Sequence, residues 1–178
     1  MTYQEALEFI HGTYKFGSKL GLENIKELLK RLGSPEKELK FVHVAGTNGK
    51  GSTSAFIHSV LVEAGYKTGL YTSPFIETFN ERIRVNHTLI TEEELADHTK
   101  CVKTAIDSMI EDGFNHPTEF EVVTAIAMLY YHKHACDIVV LEVGLGGRLD
   151  ATNAIQTPLV SVITPIDFDH TEYLGNTL

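Results

Sequence analysis

Gly46-Thr47-Asn48-Gly49-Lys50-Gly51-Ser52-Thr53 is the stretch on which the fold of this chain depends. It follows a short apolar run, Phe41-Val42-His43-Val44-Ala45, and precedes a segment with helical spacing at residues 54–64. A strand, a glycine-rich loop with one lysine and then a helix is the order found in phosphate-binding loops. Glycines let backbone N–H groups face an anion, the helix N-terminus adds positive charge, and the lysine ammonium reaches the outer phosphates. The stretch therefore predicts a nucleotide-phosphate site.

The loop departs from the strict Walker pattern in two places. The first glycine of that pattern would fall at Val44, and Gly51 rather than Ser or Thr follows Lys50. A glycine-rich turn without a ligand therefore remains an alternative when the loop is considered alone. The other strand ends of the chain must separate the two interpretations.

Composition restricts the class of protein. The 178 residues are 43% hydrophobic and 22% charged, which suits one α/β core or one domain plus a fragment. The net charge of −9, without a lysine or arginine cluster, argues against a nucleic-acid partner. It does not exclude a small anionic ligand, because a phosphate loop creates its own local positive field.

Cysteine content and hydropathy indicate the compartment. Cys101 and Cys136 are the two cysteines, and neither has the spacing of a metal site or a disulfide framework, so we expect both to be reduced. The first residues carry no basic start followed by an apolar signal region, and no apolar run approaches the length of a membrane span. We therefore expect a cytoplasmic protein without a membrane partner.

Alternating apolar runs and helical patterns predict an α/β fold with a P-loop NTPase-like parallel sheet and helices on both faces. Predicted strands lie at residues 41–45, 67–72, 138–141 and 159–164, with a small hairpin near 82–90. Predicted helices lie at 3–11, 22–32, 53–64, 91–110 and 118–133, the last two opening with capping boxes. Residues 169–178 resemble a loop entering another helix, so we expect the sheet to be incomplete at the C-terminus and the chain to be truncated.

Polar side chains follow several of the predicted strands. Ser73 follows the second, Glu142 the third, and Asp167, Asp169 and His170 the fourth. Ligands of open parallel sheets bind at the carboxyl ends of strands, and Mg²⁺ prefers oxygen ligands together with phosphates and water. This set therefore suits a nucleotide bound with Mg²⁺.

Each of these residues also has a structural interpretation. Ser73 before a proline is a common turn residue, Glu142 could be a paired carboxylate at a strand end, and the aspartates after the fourth strand are common turn formers. His170 could be a neighbour of a helix cap. Arg148 and Asp150 could form a structural ion pair or contact a substrate. The histidines that fall within helix or strand patterns have no chemical role assigned: His43, His58, His132 and His134.

Several motifs together resemble one family, the folylpolyglutamate synthases and bifunctional dihydrofolate synthases of the Mur ligase superfamily. The motifs are GLENI at 21–25, HVAGTNGKGST at 43–53, TSP at 72–74, FNERI at 79–83, LEVGLGGRLDATN at 141–153 and DHTEYLG at 169–175. The resemblance implies a carbon–nitrogen ligase that uses ATP and Mg²⁺ to join L-glutamate to folate or dihydropteroate. The implied route is an acyl phosphate that the glutamate amine attacks.

The resemblance also implies roles for individual residues. ATP phosphates would contact the loop, namely Thr47, Asn48, Gly49, Lys50, Gly51, Ser52 and Thr53. The catalytic set would be Lys50, Glu142 and His170, and the magnesium ligands would be Ser73, Glu142 and His170. The pteroyl substrate would contact Gly17, Ser18, Lys19, Leu20, Thr118, Phe120, Glu121 and Asp150.

Two points limit what the resemblance implies. Phe75 stands where many relatives have His, so that position is given no ligand role. We expect residues 1–178 to be a truncated N-terminal ATP-binding domain of the Mur central type, without its glutamate-binding domain. We expect it to be a monomer and to be inactive alone. The alternatives are a nucleotide-dependent binding or switch module, and a Mur-type ligase acting on a cell-wall precursor, which usually has Thr where Gly51 stands.

Overall fold

The central element of the fold is a six-stranded sheet, seen in a computed structural model that describes residues 1–17 and 21–178. In chain order its strands are β1 Phe41–Ala45, β2 Thr68–Tyr71, β3 Ile83–Val85, β4 Thr88–Leu89, β5 Ile138–Glu142 and β6 Val160–Ile163. Across the sheet they are ordered β4-β3-β2-β5-β1-β6. The four predicted strands are therefore present, each within a residue or two of its expected bounds.

The sheet is parallel in its main part and antiparallel at one edge. β1 pairs in parallel with β5 and β6, and β2 pairs in parallel with β5, whereas β3 and β4 form an antiparallel hairpin beside β2. The predicted hairpin is confirmed, and it extends the same sheet, which is therefore mixed. A hairpin can join in this way because a short turn at Asn86 reverses the chain, so no crossover helix is needed.

Six helices lie in the described ranges: α1 Tyr3–Gly12, α2 Glu23–Arg31, α3 Lys50–Glu63, α4 Glu92–Glu111, α5 Glu119–Lys133 and α6 Thr171–Leu174. The capping boxes predicted for α4 and α5 are both formed, by Thr91 with Glu94 and by Thr118 with Glu121. None of the helices in these ranges has the length and apolarity needed to cross a membrane.

The start of α3 corrects the predicted boundary at residue 53. Gly49 adopts a left-handed conformation with φ of 82°, and the helix begins immediately after it at Lys50. Glycine tolerates this backbone geometry without the steric cost that a side chain would bring. The lysine and Gly51 therefore belong to the first helical turn rather than to the loop, and their N–H groups lie at the positive end of the helix.

Helices cover both faces of the sheet, as predicted, but unequally. One face packs against α1, α2, α4 and α5 in the larger core, which contains Phe41, Tyr71 and Leu141. The other face packs against α3 in a small cluster around Val44 and Val140. α5 is buried on nearly all sides, as its apolar sequence predicts.

β6 forms the edge of the sheet beyond β1 and carries exposed apolar side chains. Val160 is 51% exposed and Ile163 is 69% exposed, and the preceding Leu159 is 58% exposed. The opposite edge is the short strand β4 of the hairpin. The two edges of the sheet thus differ in the amount of apolar surface they present.

Three buried histidines make the fold sensitive to acid. Burial lowers the pKa of His43, His58 and His98, and the charge of Lys133 lowers that of His98 further. The unfolded chain then binds more protons than the folded chain once the pH falls below the ordinary histidine pKa. Stability contributed by these neutral rings is therefore present above that pH and is lost as the pH falls through it.

We expect the free energy of unfolding to decrease as the pH falls from 7.5 to 5, with each histidine contributing at most about 1.4 kcal/mol per pH unit. His98→Gln should make this decrease shallower, because glutamine cannot be protonated. His132→Gln is the matched control, since His132 pairs with Glu38 at the surface. Urea unfolding at several pH values measures the slopes, and equal slopes for His98→Gln and the unmodified chain would contradict the assignment.

Candidate active site

The carboxyl ends of the parallel strands meet at one edge of the sheet and carry the polar residues singled out in the sequence. The glycine-rich loop follows β1, Ser73 follows β2, and Glu142 is the last residue of β5. The segment from Thr164 to His170 follows β6. The register pairs Val44 with Glu142 and Ala45 with Ile163, so these ends lie level with one another.

The glycine-rich loop is fixed against the segment after β6. Thr47 N donates to the Pro165 carbonyl oxygen at 3.0 Å, and the Thr47 hydroxyl bonds to the backbone of Asp167. Gly46 has φ of 133°, and a Cβ there would collide with the Thr164 side chain and lie 2.9 Å from its carbonyl oxygen. The loop can therefore follow this path only with glycine at position 46.

Lys50 lies above the loop at the start of α3. Its Nζ donates to the carbonyl oxygens of Gly46 at 2.9 Å and Thr47 at 3.2 Å. The ammonium thus stands beside the helix N-terminus, where both groups contribute positive potential. Among the other predicted phosphate contacts, Asn48 and Gly49 lie in the loop, and Ser52 and Thr53 lie in the first turns of α3.

Glu142 places a buried carboxylate next to this positive region. The residue is 3% exposed, and its Oε2 accepts a hydrogen bond from Ser73 N at 3.1 Å. Burial raises the pKa of Glu142, while the Ser73 N–H and the charge of Lys50 act in the opposite direction. A Cβ on Gly51 would lie 3.6 Å from Glu142 Oε2, so the carboxylate reaches the first turn of α3.

The predicted metal ligands are arranged unequally. Ser73 and Glu142 are in direct contact, whereas His170 lies on the exposed loop after β6, with its Nε2 3.7 Å from Asp169 Oδ2. Within residues 1–17 and 21–178, no group of three or more His, Cys, Asp or Glu side chains surrounds a common point. Two of the three predicted ligands are therefore adjacent, and the metal role of the set remains a prediction.

Two neighbouring cavities open at this edge of the sheet. The smaller, of about 370 Å³, is lined by Thr47 and Lys50 among others, and the larger has a volume of about 540 Å³. Gly144, Leu145 and His170 line both cavities. The phosphate loop therefore lies next to a second, larger binding space. The loop after β5 and His170 stand between the two.

Most of the predicted substrate contacts line the larger cavity: Gly17, Thr118, Phe120, Glu121 and Asp150. The remaining three, Ser18, Lys19 and Leu20, lie outside the described residues. Residues from distant parts of the chain therefore meet at one cavity. Their role in binding a substrate remains a prediction.

The N-terminus of α5 shapes one wall of the larger cavity. The capping box is formed by Thr118 N, which donates to Glu121 Oε2 at 2.7 Å, and by Glu121 N, which donates to Thr118 Oγ1 at 3.3 Å; the Thr118 hydroxyl also lies 2.9 Å from Glu121 Oε2. The Phe120 ring packs so closely on Gly144 that a Cβ there would lie 2.5 Å from it. The capping box and the ring contact together fix the positions of these side chains before any ligand binds.

A buried hydrogen-bonded chain supports the opposite wall. Asp150 Oδ1 accepts from Thr152 Oγ1 at 2.5 Å and from Thr152 N at 3.0 Å, and Asp150 Oδ2 accepts from Leu145 N at 2.8 Å. Because the Thr152 hydroxyl gives its proton to Asp150, it accepts from His43 Nε2, which lies 2.8 Å away. In the described part of the chain, Asp150 forms no ion pair with Arg148.

Two members of this hydrogen-bonded series, His43 and Thr152, are not indicated by local sequence patterns. The strand pattern gives His43 no chemical role, and Thr152 stands out only as part of a longer motif. Both are buried, and they connect β1, which leads into the phosphate loop, to the loop that lines both cavities. The signal that the sequence offers is a single histidine inside the otherwise apolar run of β1.

Individual relatives and solved structures, rather than a family model, are similar to this chain. No protein-family model matches the chain. The dihydrofolate synthase/folylpolyglutamate synthase of Bacillus subtilis is 51% identical over 177 residues, which are 99% of this chain and 41% of the relative. The folylpolyglutamate synthase of Lacticaseibacillus casei is 41% identical over 180 residues, covering 100% of this chain and 42% of the relative.

A solved structure, an FPGS–AMPPCP–folate complex, superimposes with a TM-score of 0.91 at 41% identity, covering 99% of this chain and 43% of that one. This chain belongs to the folylpolyglutamate and dihydrofolate synthase family. It spans about two fifths of the length of the curated relatives described above. The family resemblance found in the sequence motifs and the α/β fold expected from them are both confirmed.

The hydrogen bonds that run from His43 through Thr152 to Asp150 support the walls of the site. We expect Thr152→Val to lower the free energy of unfolding by about 2 kcal/mol, because valine leaves a buried carboxylate oxygen and a ring nitrogen without that partner. Thr124→Val is the matched control and should cost about 1 kcal/mol, since among the described residues the Thr124 hydroxyl bonds only to the neutral Tyr71 hydroxyl. Urea unfolding compares the two, and an equal loss would contradict this role for Thr152.

Proposed function

We propose that this chain forms the phosphate-binding and pteroyl-binding part of an ATP-dependent ligase that adds L-glutamate to folate, and in a bifunctional protein also to dihydropteroate. The observation that carries the proposal is the pair of adjacent cavities. One contains the lysine-bearing phosphate loop, and both share Gly144, Leu145 and His170. The family membership supports the same interpretation.

The reaction would proceed in two steps. A carboxylate oxygen of the pteroyl substrate attacks the γ-phosphorus of ATP, forming an acyl phosphate and releasing ADP. The amine of L-glutamate then attacks the acyl carbon, forming the amide and releasing phosphate and a proton. Shared walls between the two cavities suit the first step, because the reacting oxygen and phosphorus must come within about 3–3.5 Å of each other.

The loop and Lys50 would stabilise charge during phosphoryl transfer. Backbone N–H groups of the loop and the start of α3 would bind the phosphate oxygens, and Lys50 would exchange its bonds to the Gly46 and Thr47 carbonyls for bonds to the transferred group. These donors are already positioned by the contacts of Thr47 with Pro165 and Asp167. Little reorganisation of the backbone is therefore needed.

Mg²⁺ is the metal that the donor set fits. Ser73 supplies a hydroxyl oxygen, Glu142 a buried carboxylate and His170 an imidazole, and the penalty of burial at Glu142 would be relieved by a cation. When bound there, Mg²⁺ would offset phosphate charge. Ser73 takes the role that a hydroxyl after the lysine has in a strict Walker loop, since Gly51 occupies that position here.

The larger cavity would hold the pteridine ring. Phe120 offers an aromatic face, and Thr118, Glu121 and Asp150 offer polar groups around it. Three of the roughly four acceptor sites of the Asp150 carboxylate are used by Leu145 and Thr152, which leaves about one for an N–H of the ligand. The internal bonds thus orient the remaining acceptor.

The proposal extends to the whole protein. Because the chain covers 41% of the Bacillus subtilis relative, we place the glutamate-binding groups in a further domain. We propose a cytoplasmic monomer, for which the net charge of −9 favours solubility. The substrates are one pteroyl acid, L-glutamate and ATP.

The test is a product assay on the protein at its full natural length. We expect ADP release and amide formation only when ATP, L-glutamate and either dihydropteroate or a folate are all present. Lys50→Ala should reduce turnover by at least about 10³-fold, because it removes charge stabilisation of the transferred phosphoryl group. Lys103→Ala is the matched control, since Lys103 pairs with Asp107 on the surface of α4.

The alternatives give different results in the same assay. Nucleotide binding without any amide product would indicate a binding or switch module. Amide formation with a cell-wall precursor instead of a pteroyl acid would indicate another Mur-type ligase. Unchanged turnover in Lys50→Ala would contradict the role assigned to the loop lysine.

A further inference from the structure

Arg82 is a largely buried cation in the wall of the larger cavity. Its side chain is 11% exposed, and its backbone carbonyl oxygen accepts from Thr72 N at 3.1 Å, next to Ser73. It is the only lysine or arginine among the described residues that line this cavity. The residue is the last of the 3₁₀ turn Phe79–Arg82, which leads directly into β3, so the sheet fixes its backbone.

The charge of Arg82 is only loosely matched by protein groups. Its Nη1 lies 4.0 Å from Glu119 Oε1, and that oxygen is also 3.3 Å from His11 Nδ1. The guanidinium carbon lies 5.5 Å from the centre of the Phe79 ring. Within the described residues, the buried Arg82 Nε has no hydrogen-bond partner. A buried donor without a partner is costly, which favours a ligand that supplies an acceptor.

The other charged residues of the cavity restrict which group of a ligand can bind beside Arg82. The carboxylates of Glu119 and Asp150 line it, so an anionic ligand beside them would be repelled unless a cation faced it. A guanidinium matches a carboxylate in shape and charge through paired N–H donors. Arg82 is therefore suited to the anionic end of a ligand whose other end is neutral.

We propose that Arg82 binds the carboxylate of the pteroyl substrate and holds it at the end of the larger cavity next to Ser73, an inference that rests on the proposed function. The substrate carboxylate must lie at that end, because it has to reach the γ-phosphoryl group held by the neighbouring loop. Arg82 thereby distinguishes acids from neutral analogues and positions the attacking oxygen. Glu119 competes for the same guanidinium when the cavity contains no acid.

The experiment compares pteroate with its methyl ester, which keeps the ring system and removes the negative charge. Calorimetric titration of the protein at its full natural length with both ligands measures their affinities. Arg82→Gln should weaken pteroate binding by about tenfold or more, the effect of losing a charged hydrogen bond, and leave the ester within about twofold. Arg82→Lys, which keeps the charge without the fork of donors, should give an intermediate value.

Arg31→Gln is the matched control. Arg31 also lies 5.5 Å from a phenylalanine ring, that of Phe114, and pairs with Glu27 and Asp112, but away from the cavity. It should leave both affinities unchanged. Glu119→Gln provides a second measurement that keeps Arg82 intact. It should tighten binding of pteroate but not of the ester, because the competing carboxylate is removed.

The outcomes are distinguishable. If Arg82→Gln weakens both ligands equally, or neither, Arg82 has a structural role with Glu119 and the inference is overturned. The same holds if Glu119→Gln leaves the preference for pteroate unchanged. If the unmodified chain binds AMPPCP but neither pteroyl ligand, the proposed substrate class fails together with the inference. Thermal unfolding of each variant identifies a loss of affinity that arises from loss of the fold.

Discussion

The parallel pairing of β1 with β5 and β6 is the constraint on which the rest of the site depends. Val143 N donates to the Val44 carbonyl oxygen and Thr164 N donates to the Ala45 carbonyl oxygen, both at 2.9 Å. These two bonds continue the strand pairing past the strand ends. The loops after β1, β5 and β6 therefore begin at the same edge of the sheet. Without that register, the phosphate loop would face neither Glu142 nor the segment after β6. The chemistry of the site thus follows from backbone geometry.

Glu142 is a residue whose burial in the site is energetically unfavourable. Its carboxylate is buried at a strand end, where desolvation opposes ionisation, and only the Ser73 N–H and the charge of Lys50 offset that penalty. A hydrophobic residue would suit the core better. A carboxylate in this place is therefore more easily explained by binding than by stability, and the fold retains it because its neighbours are held by the sheet on both sides.

Local sequence patterns predict most of the fold and the strand-end residues of the site, but not the contacts between residues that are distant in sequence. Strand bounds, capping boxes and the strand-end residues all depend on neighbours within a few positions, so the sequence alone could reveal them. His43 and Thr152 are 109 residues apart, and Arg82 meets Glu119 from a distant part of the sequence, so no local spacing indicates either contact. The early start of α3 was missed for a different reason: glycine at 49 and 51 suggests a loop, although Gly49 is the helix cap.

The exposed edge strand β6 affects how this chain can associate with other extended segments. Its outer N–H and C=O groups form a template on which another extended segment could add, and its apolar side chains would favour that addition. Pro158 and Pro165 stand at either end of the strand, and neither can donate a ladder hydrogen bond. The two prolines therefore limit pairing along this edge to residues 159–164, which restrains aggregation.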